Sequence, residues 1–186
     1  MKLRMLACSS FLGFLLGAAS TVAAQSPAAA APVPTPPGIK PGSINSEDVP
    51  YPYPSTNFAF KVLGEDLRMS YMDVAPTGAP NGHTVVLFHG NNFAGFYFGG
   101  PAEVLRKEGF RVIIPDQIGY GRSSKPTTIA YNFSQWARTT KLMLDSLTIQ
   151  KAMIAAHSMA GMLAARFATQ YPAVTERLSP CAPAGS

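Results

Sequence analysis

The sequence has 186 residues, 47% of them apolar and 13% charged, with a formal net charge of +5 at neutral pH. The basic residues are scattered, Arg106-Lys107 being the one adjacent pair, which excludes the clustered charge of a nucleic-acid-binding surface. Its cysteines are Cys8 and Cys181, and since Cys8 lies in an N-terminal stretch with the features of a cleaved leader, Cys181 alone remains and a disulfide within one chain is excluded.

The N-terminus reads as a secretory leader. Lys2 and Arg4 precede an apolar stretch from Met5 to about Ala19, and Val22-Ala23-Ala24 supplies the small residues of a cleavage site. The apolar stretch is shorter than the ~20 residues of a membrane span. Cys8 lies ahead of the apolar core instead of at its end, which argues against a lipid anchor. Removal of residues 1–24 predicts an exported protein, periplasmic or secreted, that begins at Gln25 and keeps no stable membrane anchor. Residues 25–56 are rich in Ala and Pro; they bury too little apolar surface to offset ordering and read as an extended linker. The folded part is expected from Asn57 on, with length enough for one modest core.

Five strand-like runs follow. Phe58–Val62 and Leu67–Tyr71 flank Gly64-Glu65-Asp66, which reads as a hairpin turn. Thr84–Phe88, Arg111–Pro115 and Ala152–Ala156 are nearly all apolar, as in a sheet covered on both faces, and this predicts parallel pairing. Helical signals lie between them. Pro101 suits a first turn, and Gly109 the cap after Val104–Glu108. Asn132 with Gln135 resembles a capping box opening a helix with Trp136, Met143, Leu144 and Leu147 on one face. Met159–Tyr171 is small and apolar almost all round, as a buried helix is. A hairpin followed by β-α-β-α-β-α predicts an α/β fold with a mostly parallel sheet.

The sharpest motif is Ala156-His157-Ser158-Met159-Ala160-Gly161, which joins a buried strand to a buried helix. A strand-to-helix turn tight enough to expose a nucleophilic serine needs small residues two positions to either side, here Ala156 and Ala160. The usual form carries glycine at both flanks. Alanine is small but lacks glycine's freedom of φ, so some strain or adjustment is implied. The plainer alternative is a strand-turn-helix in which Ser158 only caps the helix. Upstream, Phe88-His89-Gly90-Asn91-Asn92 follows the third strand, where a loop can supply one oxyanion N–H while the residue after the serine supplies another. Pro115-Asp116-Gln117-Ile118-Gly119-Tyr120-Gly121-Arg122-Ser123-Ser124 follows the fourth.

In this order and spacing the three motifs resemble the α/β-hydrolase fold family, in its serine-nucleophile esterase, C–C hydrolase and epoxide-hydrolase-like branch, from about Asn57 to Leu178. The resemblance implies that Ser158 is a nucleophile and that the backbone N–H of Met159 is half of an oxyanion hole. Asn91 or Asn92 would supply the other half, with Asn91, directly after His89-Gly90, favoured. Serine, where dehalogenases and epoxide hydrolases of the family place aspartate, implies hydrolysis of ester, thioester, amide or C–C bonds in a small-molecule substrate. No metal or cofactor is implied. Asp116 and Gly119–Ser124 match a stretch that holds the fold. The rival reading is a small-molecule-binding relative without catalysis.

In the family the triad runs Ser, then Asp or Glu, then His. After Ser158 this sequence has one acidic residue, Glu176, and no histidine; His83, His89 and His157 all precede it. His83 begins the third strand, about 17 Å from the serine end at ~3.3 Å per residue. His157 adjoins Ser158 and points elsewhere; His89, at the serine end of the sheet, is the one candidate base among them, although its family equivalent looks structural and holds the oxyanion loop. Tyr171–Leu178 resembles the approach to a sixth strand, yet Ser179–Ser186 contains Pro180 and Pro183, which argues against a central strand. The expectation is therefore a hydrolase domain (57–178) cut short near Leu178, ending in a non-family tail (179–186). It would lack its last strands, acid and histidine, be inactive or crippled, and leave the strand 152–156 as an uncovered edge.

Overall fold

A computed structural model describes Gly38 and residues 42–183; the leader, residues 25–37 and 39–41 of the expected linker and residues 184–186 of the expected tail lie outside the described residues. Everything below belongs to the unit from Lys40 onward. Its strands β1 (Ser55–Val62), β2 (Glu65–Val74), β3 (Thr84–Phe88), β4 (Arg111–Pro115), β5 (Ala152–Ser158) and β6 (Thr175–Pro183) form one sheet in the order β1-β2-β4-β3-β5-β6. The β1–β2 hairpin joins the rest through an antiparallel β2–β4 pair, and β4, β3, β5 and β6 are parallel. The crossovers carry α1 (Gly99–Lys107), α2 (Phe133–Ser146) and α3 (Ala160–Gln170).

The apolar strands are continuous because successive side chains enter two different cores. Val86 and Phe88 of β3, Ile113 of β4 and Ile154 of β5 pack with Trp136, Leu144, Leu163 and Phe167 of α2 and α3. Their neighbours Val85, Leu87, Val112 and Ile114 pack on the other face with Phe98 and Ala102 at α1. The helix signals of α1 and α2 hold at residue level, whereas α3, expected to be buried almost all round, buries one face only: Ala160, Leu163, Ala164 and Phe167 are buried while Met162 is 48% exposed. Asn132 Oδ1 accepts the Gln135 N–H at 2.9 Å to open α2, and Gly109 turns the chain after α1 at φ 85°. Among the described residues no helix is long and apolar enough to cross a membrane.

Three boundaries differ from expectation. The hairpin turn is Leu63-Gly64, at φ 49° and 85°, so Glu65 and Asp66 already lie in β2. Positive φ at both central residues is the turn that matches the twist of the paired strands. The expected linker ends before residue 56, because residues 49–55 dock through polar groups. Arg122 donates to Val49 O and Ser55 Oγ at 3.0 and 2.9 Å, and the Tyr51 hydroxyl to Asp116 Oδ2 at 2.7 Å. Most important, residues 175–183 do form a strand. β6 pairs with the whole of β5, Pro180 lying opposite Ala156, so β5 is not an open edge. Proline removes an N–H from a ladder, and among the described residues β6 is the last strand, where that loss is tolerated.

Candidate active site

β3 leads through α1 to β4 on one side, whereas β5 leads through α3 to β6 on the other. The connections leaving the C-terminal ends of β3 and β5 therefore diverge, and such a switch point is where open α/β sheets form a crevice. Residues 89–94 and the Ser158 turn meet there. A Cβ built on Gly90 would stand 3.1 Å from Ser158 Cβ and 3.3 Å from His157 O, so a side chain here would require the two loops to part by a few tenths of an ångström.

Ser158 is the last residue of β5, at φ 56°. For an L-residue other than Gly, Asn or Asp the left-handed region is strained. Neither flank, Ala156 or Ala160, has positive φ, so the strain expected from the alanines lies instead at Ser158, at the head of α3. That helix has no side-chain cap and begins directly after Met159, which contradicts the plainer reading of Ser158 as its cap. Among the described residues the Met159 N–H has no partner within the protein.

On the facing loop, Phe93 N–H closes a turn on Gly90 O at 3.3 Å, with Asn92 at φ 61°. Asn91 is exposed, and its Oδ1 accepts from the Tyr120 hydroxyl at 2.8 Å, which secures the side chain without using the backbone N–H. His89 sets the direction of that N–H. Its Nε2 accepts the Gln117 N–H at 3.0 Å, so the ring proton resides on Nδ1, which donates to Gly90 O at 2.9 Å. In a planar trans peptide the C=O and the N–H point opposite ways. Holding Gly90 O therefore aims Asn91 N–H. Burial pushes the His89 imidazole below its ordinary pKa, with the Gly90 carbonyl and Asp116 opposing, which keeps the ring neutral in this role.

Asp116 secures the neighbouring loop. Buried at 1% exposure, it accepts from Gly95 N–H at 2.6 Å, Arg122 N–H at 2.8 Å and the Tyr51 hydroxyl. A Cβ on Gly121 would overlap its carboxylate. Ser123 Oγ donates to Asp116 O at 2.7 Å and accepts the Ser70 N–H at 2.8 Å. The stretch from Asp116 to Ser124 thus holds the fold, as expected.

His83 pairs with Glu176 at 3.0 Å in a hollow of about 610 Å³ at the opposite end of the sheet. That hollow is larger than either cavity near Ser158, but it lies at the strand N-termini, away from the crevice. A groove of about 520 Å³, lined by Leu87, Tyr97, Leu105, Ala155 and His157, reaches the turn from the α1 face. A second of about 400 Å³, lined by Asn91, Asn92, Tyr120, Tyr131 and Trp136, opens on the other. Among the described residues no cluster of His, Cys, Asp and Glu has the make-up of a metal site. Tyr97 was invisible to sequence reasoning, since nothing in the run Phe93-Ala94-Gly95-Phe96-Tyr97-Phe98 marks one aromatic over another.

A sequence profile of the α/β-hydrolase fold matches residues 83–179, just over half of the chain. The chain belongs to the α/β-hydrolase fold family. Among relatives, it is 41% identical to a probable hydrolytic enzyme of Pseudomonas aeruginosa, whose structure covers 77% of this chain with a TM-score of 0.75; the match spans 46% of that protein. It is 35% identical over 114 residues to a 2-hydroxy-6-oxononadienedioate/2-hydroxy-6-oxononatrienedioate hydrolase of Paraburkholderia phymatum, covering 59% of this chain and 38% of the relative. It is 31% identical over 113 residues to a haloalkane dehalogenase of Mycobacterium marinum, covering 60% and 37%. The chain thus spans less than half the length of these relatives. Several of its relatives are hydrolases by name, and the fold is the α/β-hydrolase fold.

Proposed function

We propose that this α/β hydrolase cleaves an ester, thioester, amide or C–C bond of a small molecule through an acyl intermediate on Ser158. The observation that carries the reading is Ser158 itself, an L-residue held at φ 56° between β5 and α3. Strain of this kind persists where surrounding structure over-determines it, and it collects at reactive groups. Attack by Oγ would place negative charge on the substrate oxygen, and the N–H groups of Met159 and Asn91 are its donors. The grooves on the two sheet faces, one apolar and one aromatic with amides at its mouth, suit the apolar parts of such a substrate.

A serine hydroxyl needs a base. The three histidines of the sequence have other positions: His83 at the far end, His89 buried with both ring nitrogens engaged, and His157 bonded to Tyr97. The base and its acid are thus assigned to residues outside these 186, and this chain alone is slow or inactive. Export completes the reading, and an intact mass beginning at Gln25 on protein recovered outside the cytoplasm tests it.

Labelling with a fluorophosphonate tests the chemistry. The tryptic peptide Ala152–Arg166 contains one serine, Ser158, so an adduct is assigned without ambiguity. Protein isolated from its source cells should label rapidly there, and the 186-residue chain slowly. No adduct in the source protein overturns the nucleophile and favours the ligand-binding rival. Equal labelling in the short chain overturns the assignment of the base.

A further inference from the structure

We propose that Tyr97 is a positioning residue whose hydroxyl joins the loop carrying Asn91 to the turn carrying Ser158, fixing the distance between the two oxyanion donors. The ladder between β3 and β5 ends at Phe88–Ala156, and beyond it the two segments diverge toward different helices. The Tyr97 oxygen bridges that gap. It accepts the Gly90 N–H at 3.3 Å and lies 3.1 Å from His157 Nδ1. Gly90 directly precedes Asn91, and His157 directly precedes Ser158, so one side chain contacts the residue before each.

Proton placement makes the bridge directional. Burial pushes the Tyr97 phenol above the ordinary tyrosine range, with the Gly90 N–H pulling the other way, so the phenol keeps its proton through neutral pH. Since its oxygen accepts from Gly90, its proton is the one available to His157. In the proposed bridge the Tyr97 O–H donates to a bare His157 Nδ1 and the ring proton sits on Nε2, the reverse of His89. The ring itself is packed by others: it stacks on Phe98 at 4.2 Å and lies 4.9 Å from Phe93 and 5.7 Å from His157. Those contacts would survive replacement by phenylalanine. The hydroxyl would not, and Gly90 is buried, so its N–H would lose the acceptor seen here.

The role in catalysis rests on the reading of Ser158 as nucleophile, whereas the bridge does not, and the experiment separates them. In the 186-residue chain, two-bond ¹H–¹⁵N correlation of the imidazole rings should show His157 protonated on Nε2 and His89 on Nδ1. In Tyr97→Phe, His157 should lose that preference, His89 should keep its own, and the Gly90 amide should exchange on the order of tenfold faster. A Nδ1-protonated His157 in the unsubstituted chain, or Gly90 exchange unchanged by the substitution, overturns the bridge. In protein from the source cells, Tyr97→Phe should slow Ser158 labelling at saturating probe about tenfold while half-saturation moves less than twofold. Unchanged labelling with the NMR signature present overturns the positioning role. No Ser158 labelling in the unsubstituted source protein overturns the proposed function and leaves the bridge standing.

Discussion

Replacing Ser158 by glycine and by alanine should reverse the usual order of stability of those two residues. Ser158 sits at φ 56°, where a Cβ costs an L-residue roughly 1–2 kcal/mol. Glycine escapes that cost but loses about 0.5–1 kcal/mol through its greater freedom in the unfolded chain. The net expectation for Ser158→Gly is a gain centred near ~0.8 kcal/mol. Alanine keeps the Cβ and the strain and loses a half-buried hydroxyl, so Ser158→Ala should stay within about 0.5 kcal/mol of the parent. At an ordinary strand or helix position glycine is the less stable of the two by roughly 0.5–1 kcal/mol. The sign alone therefore decides. Urea unfolding followed by tryptophan fluorescence reads it, since Trp136 is buried against the core. In thermal melting the glycine variant should lie ~2–5 °C above the alanine variant for a domain of this size. An alanine variant at or above the glycine variant would refute the claim that the turn stores strain, and with it the main support for Ser158 as nucleophile.

His89 gives a pH dependence with a determined sign. Its folded pKa lies below the ordinary histidine value near 6.5, so the unfolded chain binds more protons. This contribution to stability is complete above about pH 6.5 and is lost as pH falls toward the depressed value, at up to ~1.4 kcal/mol per pH unit; urea midpoints between pH 7.5 and 5.0 should show the slope, and His89→Gln should flatten it. Gly90→Ala places a methyl 3.1 Å from Ser158 Cβ and should cost roughly 1–3 kcal/mol in urea unfolding, less in the background of Ser158→Gly, where that contact is gone. Additive costs would mean the loops do not touch as described. Asp116→Asn should cost about 2–4 kcal/mol, because either amide orientation turns an NH₂ toward the Gly95 or the Arg122 N–H, whereas Tyr51→Phe removes one bond and should cost about 1 kcal/mol; equal effects of the two would show that Asp116 is not the centre of that loop.

Most of the sheet was legible because its strands obey strong local rules. Val85 to Leu87 and Val112 to Ile114 are apolar at every position since both faces are covered, and a run of that kind has few other uses. The Ser158 turn was legible because close packing at a strand-to-helix junction restricts which residues flank it. What escaped was set by partners far away in sequence. Nothing local tells that Tyr51, in a proline-rich segment, will reach a carboxylate 65 residues on. Nor does a run of four aromatics around a glycine single out Tyr97, whose partner His157 is 60 residues away. The strand at 175–183 was missed for another reason. Pro180 and Pro183 argue against a strand by sequence, but the penalty for proline depends on whether its missing N–H had a neighbour to meet, and only the pairing shows that.

The loops at the switch point share a construction: a polar side chain with little or partial exposure ties one segment to another. His89 joins Gln117 N–H to Gly90 O, Asp116 joins Gly95 N–H to Arg122 N–H, and Tyr97 joins Gly90 N–H to His157. Ladders end where strands diverge, so backbone beyond them must find other partners or stay in water. In the crevice that need is met by His89 and Asp116, each directly after a strand, and by Tyr97 in the turn of helix ahead of α1, which together tie the sheet to the segments carrying Asn91 and Ser158. Donors held in this way do not have to reorient when charge develops beside them, and that is the property required of an oxyanion hole. It also explains how a left-handed serine can persist. The turn cannot relax by moving away, because Gly90 lies against Ser158 Cβ on one side and β6 is paired along the other. The strain at Ser158 and the three polar ties are thus parts of one arrangement, and loosening any tie should be felt at the serine before it is felt in the core.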